Sequence, residues 1–170
     1  ETAEYGYTKT EAEKYVMDRE NTVAFRLATA FGISARLRLD LLINDFVFQA
    51  LKNRNLIVYE RHFKRSFINV FDIARCFKFC MEHIEKMNNQ VFNVGDESMN
   101  YTKEEIALII KKKIDYYLHF AEIGSDGDKR NYHVCYEKIK AVGFKTTCTL
   151  EQGIDELIKG LSIINVKNKY

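Results

Sequence analysis

Hydrophobic and polar positions switch along the chain between helical spacing and short extended runs, so helices and strands are expected to alternate. In residues 8–21, polar side chains surround Ala12, Tyr15 and Val16, which share one face of a predicted helix. Short runs of β-branched and aromatic residues predict strands at 22–27, 56–59, 91–94 and 116–123. Further helices are predicted at 41–51, 70–87, 103–113 and 136–142, and from 149 onwards. This order of elements indicates an α/β architecture.

The helix predicted over 70–87 has the most regular pattern. Its apolar residues recur every three or four positions, which predicts one buried face with the charged residues outside. The face predicted to be buried comprises Val70, Ile73, Ala74, Phe77, Met81 and Ile84, and the solvent side comprises Asp72, Arg75, Lys78 and Glu82. Two capping boxes, Thr102 with Glu105 and Thr149 with Gln152, predict where two further helices begin.

The composition is that of an ordinary globular protein. Of the 170 residues, 46% are hydrophobic and 29% are charged, and the formal net charge is +2. These values exclude a disordered tail or a collagen-like repeat, and they give no electrostatic footprint for nucleic acid or an anionic membrane surface. No apolar run approaches the roughly 20 residues of a membrane-spanning helix. We therefore expect neither nucleic acid nor a membrane among the partners.

The 4 cysteines are too few and too scattered for a disulfide framework, which favours a reducing, cytoplasmic setting. Cys76, Cys80 and His83 share one side of a predicted helix and have side chains that suit zinc. A structural zinc site takes four ligands, and no fourth ligand lies nearby in the sequence. We therefore favour small core residues over a metal site at these positions.

Tyr5 and Lys9 are the first candidates for chemistry, because residues four apart lie on one face of a helix. A phenol has a pKa of about 10 and is a poor base at neutral pH, but a neighbouring ammonium group stabilises the phenolate. Such a tyrosine can take a proton from a substrate hydroxyl while a hydride leaves the same carbon for a nicotinamide ring. The lysine can also hold the nicotinamide ribose by hydrogen bonds.

The spacing by itself carries little weight. With 10 tyrosines in the chain, about one Tyr-x-x-x-Lys is expected by chance, as for any short pattern. Tyr136 and Lys140 form a second such pair. An ordinary amphipathic helix start is the alternative interpretation of Tyr5 and Lys9.

The sequence around Tyr5 and Lys9 is more specific. Tyr5-Gly-Tyr-Thr-Lys9, followed by Phe25-Arg-Leu-Ala-Thr-Ala-Phe-Gly32, resembles the extended short-chain dehydrogenase/reductase family, and within it the NAD-dependent nucleotide-sugar epimerases and dehydratases. Three later segments are similar to further motifs of that family, in the same order: Arg65-Ser-Phe-Ile-Asn-Val-Phe-Asp-Ile-Ala74, Phe92-Asn-Val-Gly95, and 128–139 with Gly143-Phe144 and 150–157. The resemblance extends from Tyr5 to about residue 161.

The resemblance implies a fold class and a division into domains. The fold would be α/β, combining the C-terminal part of a Rossmann domain, which is a doubly wound parallel sheet, with a smaller α/β substrate-binding domain. The Rossmann part would take residues 1–33 and 67–95, the nucleotide-sugar domain 34–66 and 96–164, and a tail 165–170. The implied cofactor is NAD or NADP, and the implied partners are a nucleotide-sugar substrate and a second copy of the chain in a homodimer.

The family's functional residues fall on named positions here. Tyr5 would be the catalytic acid and base and Lys9 its partner on the nicotinamide ribose. Ala28, Thr29, Ala30 and Phe31 would pass beside the nicotinamide, with Thr29 also facing the substrate. Arg65 would bind the nucleotide diphosphate, for which a planar guanidinium is suited. Arg36, Arg38 and Asn44 would line the substrate pocket, and Asp128 and Arg130 would contact the nucleotide or its ribose.

Alternatives remain for these positions. Arg65 can be a surface arginine at a strand start, and Asp128 and Arg130 can be surface charges in a loop. For Arg36, Arg38 and Asn44, the alternative is an ordinary solvated loop and helix end.

Three departures from the family pattern affect these expectations. Thr29 stands where many members have Asn, Ile33 stands where a Pro usually follows the glycine, and the region of Ser125 lacks the Arg of some epimerases. The chain also has no Gly-x-x-Gly-x-x-Gly turn to hold the dinucleotide pyrophosphate. We therefore expect it to correspond to roughly the C-terminal half of a family-length protein. Residues 1–170 alone would not bind NAD in the family's manner or catalyse.

The leading functional hypothesis is an NAD(P)-dependent epimerase or dehydratase that transiently oxidises a sugar hydroxyl. An NADPH-consuming reductase of the same fold is one alternative, and a binding protein that has lost the cofactor half is another. A nucleic-acid-binding protein is the weakest alternative, favoured only by Lys111 to Lys113 and scattered aromatic residues. The sugar, the nucleotide and the choice between NAD and NADP are left open.

Overall fold

The structure is a computed structural model, and it describes residues 2–124 and 131–164. Helices and strands alternate, as the sequence predicts. The helices are α1 Thr2–Met17, α2 Leu42–Phe48 (continued by a π-helical segment, Gln49–Asn53), α3 Val70–Glu82, α4 Ile84–Met87, α5 Lys103–Lys111, α6 Glu137–Ala141 and α7 Leu150–Ile163. The strands are β1 Val23–Leu27, β2 Thr29–Phe31, β3 Asn55–Tyr59, β4 Lys64–Asn69, β5 Gln90–Val94, β6 Asn100–Thr102 and β7 Tyr117–Ala121.

Parallel pairing between distant strands dominates the fold. β1 pairs with β5, β2 with β4, and β3 with β7, all in parallel. The first residues of β4 also pair antiparallel with β6. Parallel strands need long crossover connections, and here the intervening chain contains helices. The predicted α/β class is confirmed.

Strand β4 lies between two clusters of buried apolar side chains. Phe67 belongs to the larger cluster, which α2, α5 and α7 help to build, and Ile68 belongs to the smaller one, with β5, α3 and α6. Successive side chains on a strand point to opposite faces, so β4 contributes to both clusters. A strand buried on both faces carries no alternation of polar and apolar residues.

The strands predicted at 22–27, 56–59, 91–94 and 116–123 are confirmed as β1, β3, β5 and β7, with ends shifted by one or two residues. Both capping boxes are formed as well. Thr102 accepts a hydrogen bond from the backbone of Glu105, and Thr149 accepts one from the backbone of Gln152. The pattern did not predict β2, β4 or β6. β2 and β6, of three residues each, are too short to show an alternation, and β4 is buried on both faces.

The buried face predicted for the first helix is wrong. Ala12, Tyr15 and Val16 are exposed, whereas Glu13 and Met17 are the partly buried residues of α1. The physical reason is an ion pair, because Arg26 on β1 binds Glu13 through two hydrogen bonds and thereby turns that side of the helix toward the strand.

The long helix predicted over 70–87 is interrupted, and most of its predicted buried face is wrong, since only Val70 and Ile73 of that face are partly buried. His83 leaves the helical conformation and separates α3 from α4. Asp72, Cys76 and Cys80 face the interior, while Phe71 and Met81 are 69% and 72% exposed. Burying a carboxylate requires hydrogen bonds, and Asp72 accepts them from the backbone of both Thr147 and Cys148 and from Arg75. These bonds hold the loop before α7 against α3.

Across residues 2–124 and 131–164, no helix is both long enough and apolar enough to cross a membrane.

Candidate active site

Tyr5 and Lys9 lie together on the first half of α1, as their spacing predicts. The ammonium nitrogen of Lys9 is 5.4 Å from the centre of the Tyr5 ring, which is within the range of a cation–π contact. The Tyr5 side chain is 63% exposed, so its hydroxyl is open to a ligand. A tyrosine and a lysine in this arrangement offer a proton-transferring hydroxyl and a neighbouring positive charge.

An ion pair fixes α1, and therefore Tyr5 and Lys9, against the sheet. Nε and Nη2 of Arg26 donate to the two carboxylate oxygens of Glu13 at 2.8 and 2.6 Å. Hydrogen bonding to Arg26 lowers the pKa of Glu13, against a smaller opposing effect of burial. Glu13 is one helical turn beyond Lys9, so this pair sets the position of the helix next to β1.

The segment that follows β1 leads from one parallel pair to the other. The backbone N–H of Ala28 donates to the carbonyl of Val94 at the carboxyl end of β5. Thr29, Ala30 and Phe31 then form β2, in which Thr29 and Ala30 are half-buried and Phe31 is buried. In open α/β sheets, ligands bind beyond the carboxyl ends of the strands. The four residues predicted to pass beside the nicotinamide therefore begin at such an edge.

A helix glycine fixes the position of Phe31. Gly153 of α7 lies so close that a Cβ built on it would be 2.4 Å from Cε2 of Phe31. Only a residue without a side chain allows this approach between α7 and β2. Helix α7 therefore packs directly against Phe31, one of the four residues predicted to lie beside the nicotinamide.

Asn44 connects two parts of the predicted substrate pocket. Its Oδ1 accepts a hydrogen bond from the backbone of Gly32 at 3.0 Å, and its Nδ2 donates to the carbonyl of Arg38 at 2.9 Å. Asn44 is only 2% exposed, which excludes the alternative of a solvated helix end for this residue. Gly32 has a φ of +119°, a conformation that favours glycine, so the turn after β2 is held on both sides.

Arg38 lies close to Tyr5. Its guanidinium binds the carboxylate of Asp40 through two hydrogen bonds, one of 2.7 Å from Nε. These bonds raise the pKa of Arg38, and the Coulomb field of Tyr5 makes a smaller contribution in the same direction. The structure thus brings a predicted substrate residue near the predicted catalytic one. Arg36 is exposed, and its carbonyl accepts a hydrogen bond from Ser34.

Arg65 is buried in β4, with only 2% of its surface exposed, which excludes the interpretation as a surface arginine. Phe67, two residues further along β4, is the register partner of Thr29 on β2. At about 3.3 Å per strand residue, Arg65 lies about 7 Å along the sheet from the position of Thr29. The centre of the Tyr132 ring is 5.9 Å from the guanidinium carbon of Arg65. The two other predicted substrate residues, Asp128 and Arg130, lie outside the described residues.

The second Tyr-x-x-x-Lys pair has a different environment. Tyr136 is 1% exposed, and its hydroxyl shares a hydrogen bond with Ser66 of β4. Lys140 forms ion pairs with Asp96 and Glu97. Burial raises the pKa of Tyr136 to about 12, partly opposed by the bond to Ser66. These two residues support the structure and are not placed for proton transfer near pH 7.

Sequence reasoning gave no role to Tyr132 or Ser66. Ser66 directly follows Arg65 in the family motif Arg65 to Ala74, so its position beside the candidate site could have been predicted. Tyr132 lies 67 positions after Arg65, and no local pattern reports a contact over that distance.

The two helix cysteines are core residues, as expected. Cys76 and Cys80 are buried, and burial raises the pKa of Cys76 to about 12, so its thiol stays protonated at neutral pH. Metal binding requires the thiolate. Among the residues that the structure describes, no group of three or more His, Cys, Asp or Glu side chains is arranged to hold a metal ion.

The residues present fit one end of a nicotinamide dinucleotide. Tyr5 and Lys9 supply an exposed hydroxyl and an ammonium group, which are groups that can hydrogen-bond to ribose hydroxyls. The other end requires a run of backbone N–H groups for its pyrophosphate. The 170 residues contain no glycine-rich turn of that kind.

Comparison with known proteins identifies the family and the fold of the chain. The NAD dependent epimerase/dehydratase family matches residues 1–95 of the chain. Among solved structures, the chain is similar to the Helicobacter pylori ADP-L-glycero-D-manno-heptose-6-epimerase, with a TM-score of 0.75 and 18% identity over 94% of this chain and 51% of that one. It is also similar to RMD from Pseudomonas aeruginosa complexed with NADPH, with a TM-score of 0.72 and 16% identity over 92% and 55% of the two chains.

A third similar structure holds both a cofactor and a nucleotide sugar. MoeE5 in complex with UDP-glucose and NAD gives a TM-score of 0.74 and 21% identity, over 91% of this chain and 54% of that one. At these identities the similarity shows the fold, which is that of Rossmann-type epimerases and dehydratases. The chain spans about half the length of each of these three proteins.

Proposed function

Because this chain belongs to the NAD-dependent epimerase/dehydratase family, whose match covers residues 1–95, we propose that the protein is an NAD(P)-dependent nucleotide-sugar epimerase or dehydratase. The observation that carries the proposal is the exposed Tyr5 beside Lys9 on α1, the helix that the Arg26–Glu13 ion pair joins to β1. Similar folds that hold NAD, NADPH and UDP-glucose support the choice of cofactor and substrate class.

Tyr5 is the acid and base of the proposed reaction. Its phenolate oxygen takes the proton of a sugar hydroxyl, and the electron pair of that O–H bond forms the carbonyl as the carbon's hydride departs. NAD or NADP, when bound beside Tyr5 and Lys9, would supply the acceptor and donor of that hydride. The new carbonyl acidifies the neighbouring carbon. In an epimerase, that carbon loses its proton and regains one on the other face, and the hydride and the Tyr5 proton then return to the carbonyl. In a dehydratase, the neighbouring C–H proton and the hydroxyl one carbon further leave as water, the hydride and a proton add to the resulting alkene, and the carbonyl is retained. A general acid and base of this kind contributes about 10²- to 10⁴-fold in rate.

Lys9 and Arg38 supply positive charge near that oxygen. The ammonium group of Lys9 stabilises the phenolate and is placed to donate hydrogen bonds to the nicotinamide ribose. Arg38, held by Asp40, adds a second cation on the substrate side.

Arg65 and Thr29 are the proposed substrate contacts. The planar guanidinium of Arg65 can hold two oxygens of a nucleoside diphosphate at once. Thr29, half-buried at the start of β2, carries a hydroxyl that can donate to the sugar or its phosphate. Ala28, Ala30 and Phe31 shape the space beside the nicotinamide without polar side chains.

We also propose that the enzyme is a homodimer that pairs through α1. The helix exposes Tyr7, Tyr15 and Val16, which are large apolar or aromatic side chains of the kind that interfaces bury. Sedimentation of the complete protein should give twice the chain mass, and a monomer at micromolar concentration would contradict the dimer.

The test of the proposed function is the Tyr5→Phe variant of the complete protein. Turnover of a panel of nucleotide sugars with NAD should fall at least about 100-fold, because the ring stays and only the proton-transferring oxygen is lost. The matched control is Tyr7→Phe, two residues away on the same helix and 67% exposed, which should keep wild-type turnover. Wild-type turnover in Tyr5→Phe would refute the proposal, and net consumption of reduced cofactor would indicate a one-way reductase.

A further inference from the structure

Residues 131–136, the strap, run beside three strands without forming a helix or strand of their own. Side chains from β5, from β6 and from the segment between these two strands hold the strap in place along its length. Asn100 donates to the carbonyl of Val134, Asn93 donates to the carbonyl of Cys135, and Glu97 accepts from the backbone of Tyr136. A connecting segment with this many specific bonds has one defined path.

At Lys64, the first residue of β4, the strap lies along one edge of the strand. The Lys64 carbonyl accepts a hydrogen bond from the backbone of Tyr132, and the Lys64 N–H donates to Oδ1 of Asn131. The preceding residue, Phe63, directs its carbonyl to Lys103 at the opposite edge, beside β6. Backbone groups alternate between the two edges of a strand. The strap therefore occupies the edge that β2 takes up three residues later.

The two tyrosines of the strap reach opposite faces of β4. Arg65 and Ser66 are consecutive, so their side chains point to opposite sides of the strand. The hydroxyl of Tyr136 is bonded to Ser66 on one side. On the other side, the centre of the Tyr132 ring is 5.9 Å from the guanidinium carbon of Arg65, within the range of a cation–π contact. The strap thus contacts both faces of β4, the strand that carries Arg65, which is the residue proposed to bind the diphosphate.

We propose that Tyr132 is a positioning residue that holds the Arg65 guanidinium in the orientation that binds a nucleoside diphosphate. The inference rests on the proposed function, which assigns the diphosphate to Arg65. An aromatic ring within about 6 Å of a guanidinium attracts it electrostatically. It also restricts a long side chain before the ligand arrives, and such preorganisation increases affinity.

The position of the ring depends on the other end of the strap. Tyr136 is anchored at its hydroxyl by Ser66 and at its backbone by Glu97, and Glu97 is itself paired with Lys140. This anchor lies four positions after Tyr132. The second Tyr-x-x-x-Lys pair therefore has a role in the proposed site, because it holds the segment that orients Arg65.

The first test measures affinity for the diphosphate alone. UDP, dTDP, ADP, GDP and CDP are titrated into the complete wild-type protein, and the tightest ligand is then used with Tyr132→Leu and Tyr132→Phe. The leucine variant, which fills space without a ring, should bind about tenfold more weakly, whereas the phenylalanine variant should stay within about twofold. The control is Tyr117→Leu, an exposed tyrosine in β7.

Steady-state kinetics separate positioning from catalysis. In Tyr132→Leu the KM for the nucleotide sugar should rise by about the factor found for the diphosphate, with kcat within about twofold of wild type. A general loss of structure would lower kcat as well and would appear in the phenylalanine variant too. Equal diphosphate affinity in wild type and Tyr132→Leu overturns the inference while leaving the proposed function intact.

A second readout does not depend on the ligand. The guanidinium carbon of Arg65 is 5.9 Å from the centre of the Tyr132 ring, so the NMR signal of the Arg65 guanidinium should carry a ring-current shift that Tyr132→Phe keeps and Tyr132→Leu removes. An unchanged signal in Tyr132→Leu would overturn the proposed contact. If wild-type protein binds none of the five diphosphates while this signal behaves as expected, the assignment of the diphosphate to Arg65 fails, and the inference about binding fails with it.

Discussion

The two Tyr-x-x-x-Lys pairs share a spacing and differ in nearly everything else. Tyr5 is 63% exposed on a helix, with Lys9 beside its ring, whereas Tyr136 is buried with its hydroxyl bonded to Ser66. Lys140 is committed to Asp96 and Glu97. One pair is therefore open to a substrate, and the other is part of the packing of the protein.

This difference shows that environment, and not spacing, decides what a tyrosine can do. Burial raises the pKa of Tyr136 to about 12, and neutral pH cannot ionise such a group to a useful extent. A base needs access to its substrate and a nearby positive charge that favours the phenolate. Of the two pairs, only Tyr5 with Lys9 meets both conditions. The family motifs surround Tyr5, and this agrees with the physical argument.

The largest expected difference between the pairs is in stability. Tyr136→Ala removes a fully buried aromatic ring from the smaller cluster and should lower the free energy of unfolding by about 3–5 kcal/mol. Tyr5→Ala removes an exposed side chain and should change it by no more than about 0.5 kcal/mol. Urea unfolding of the two variants measures both values. Similar losses would mean that Tyr5 also supports the fold and would weaken the contrast.

Much of the fold could be predicted from the sequence because its signals are local. The capping boxes at Thr102 and Thr149, and the β-branched runs of β1 and β5, each lie within a few residues. The buried face of α3 could not be predicted in this way. Its orientation depends on Asp72 binding the backbone of residues 147 and 148, which are 75 and 76 positions away.

The same limit applies to the candidate site. Tyr5 and Lys9 are neighbours on one helix, so their spacing and the motif around them were sufficient to predict that they lie together. The proximity of Arg38 to Tyr5 and the contact of Tyr132 with Arg65 join distant parts of the chain. A single sequence contains no direct record of such contacts. Asn44 illustrates the point, because its burial between Gly32 and Arg38 depends on the packed loop and not on its neighbours in sequence.

Substituting a glycine near each of the two tyrosines, Tyr136 and Tyr5, tests how tightly each tyrosine is packed. A Cβ on Gly95 would lie 2.6 Å from Cζ of Tyr136, whereas nothing lies within 4 Å of a Cβ on Gly6, next to Tyr5. Gly95→Ala should therefore cost about 1–3 kcal/mol of stability. Gly6→Ala, inside α1, should be neutral or stabilise by up to about 1 kcal/mol. Adding Gly95→Ala to Tyr136→Ala should cost little, since the clashing ring is gone, and an unchanged cost would locate the strain elsewhere.

The smallest expected difference is electrostatic and depends on pH. Burial tends to raise the pKa values of Asp96 and Glu97, but hydrogen bonds, including those from Lys140, outweigh it and lower both from 3.8 and 4.5. A carboxylate whose pKa is lowered by folding stabilises the protein above its ordinary pKa, and the stabilisation is lost as the pH falls through the lowered value. Lys140 is about one third exposed, so solvent screening limits its contribution to about 1 kcal/mol or less.

Lys140→Met should therefore lower the stability at pH 7 by up to about 1 kcal/mol, and the difference from wild type should shrink as the pH falls below 3.8. Lys9→Met is the matched control. It removes the lysine of the exposed pair and should leave the free energy of unfolding unchanged at pH 7 and at pH 3, while reducing turnover of the complete protein. A constant difference between Lys140→Met and wild type from pH 7 to pH 3 would mean that Lys140 acts through packing of its aliphatic chain. The two pairs would then differ in the burial of their tyrosines and not in the ion pairing of their lysines.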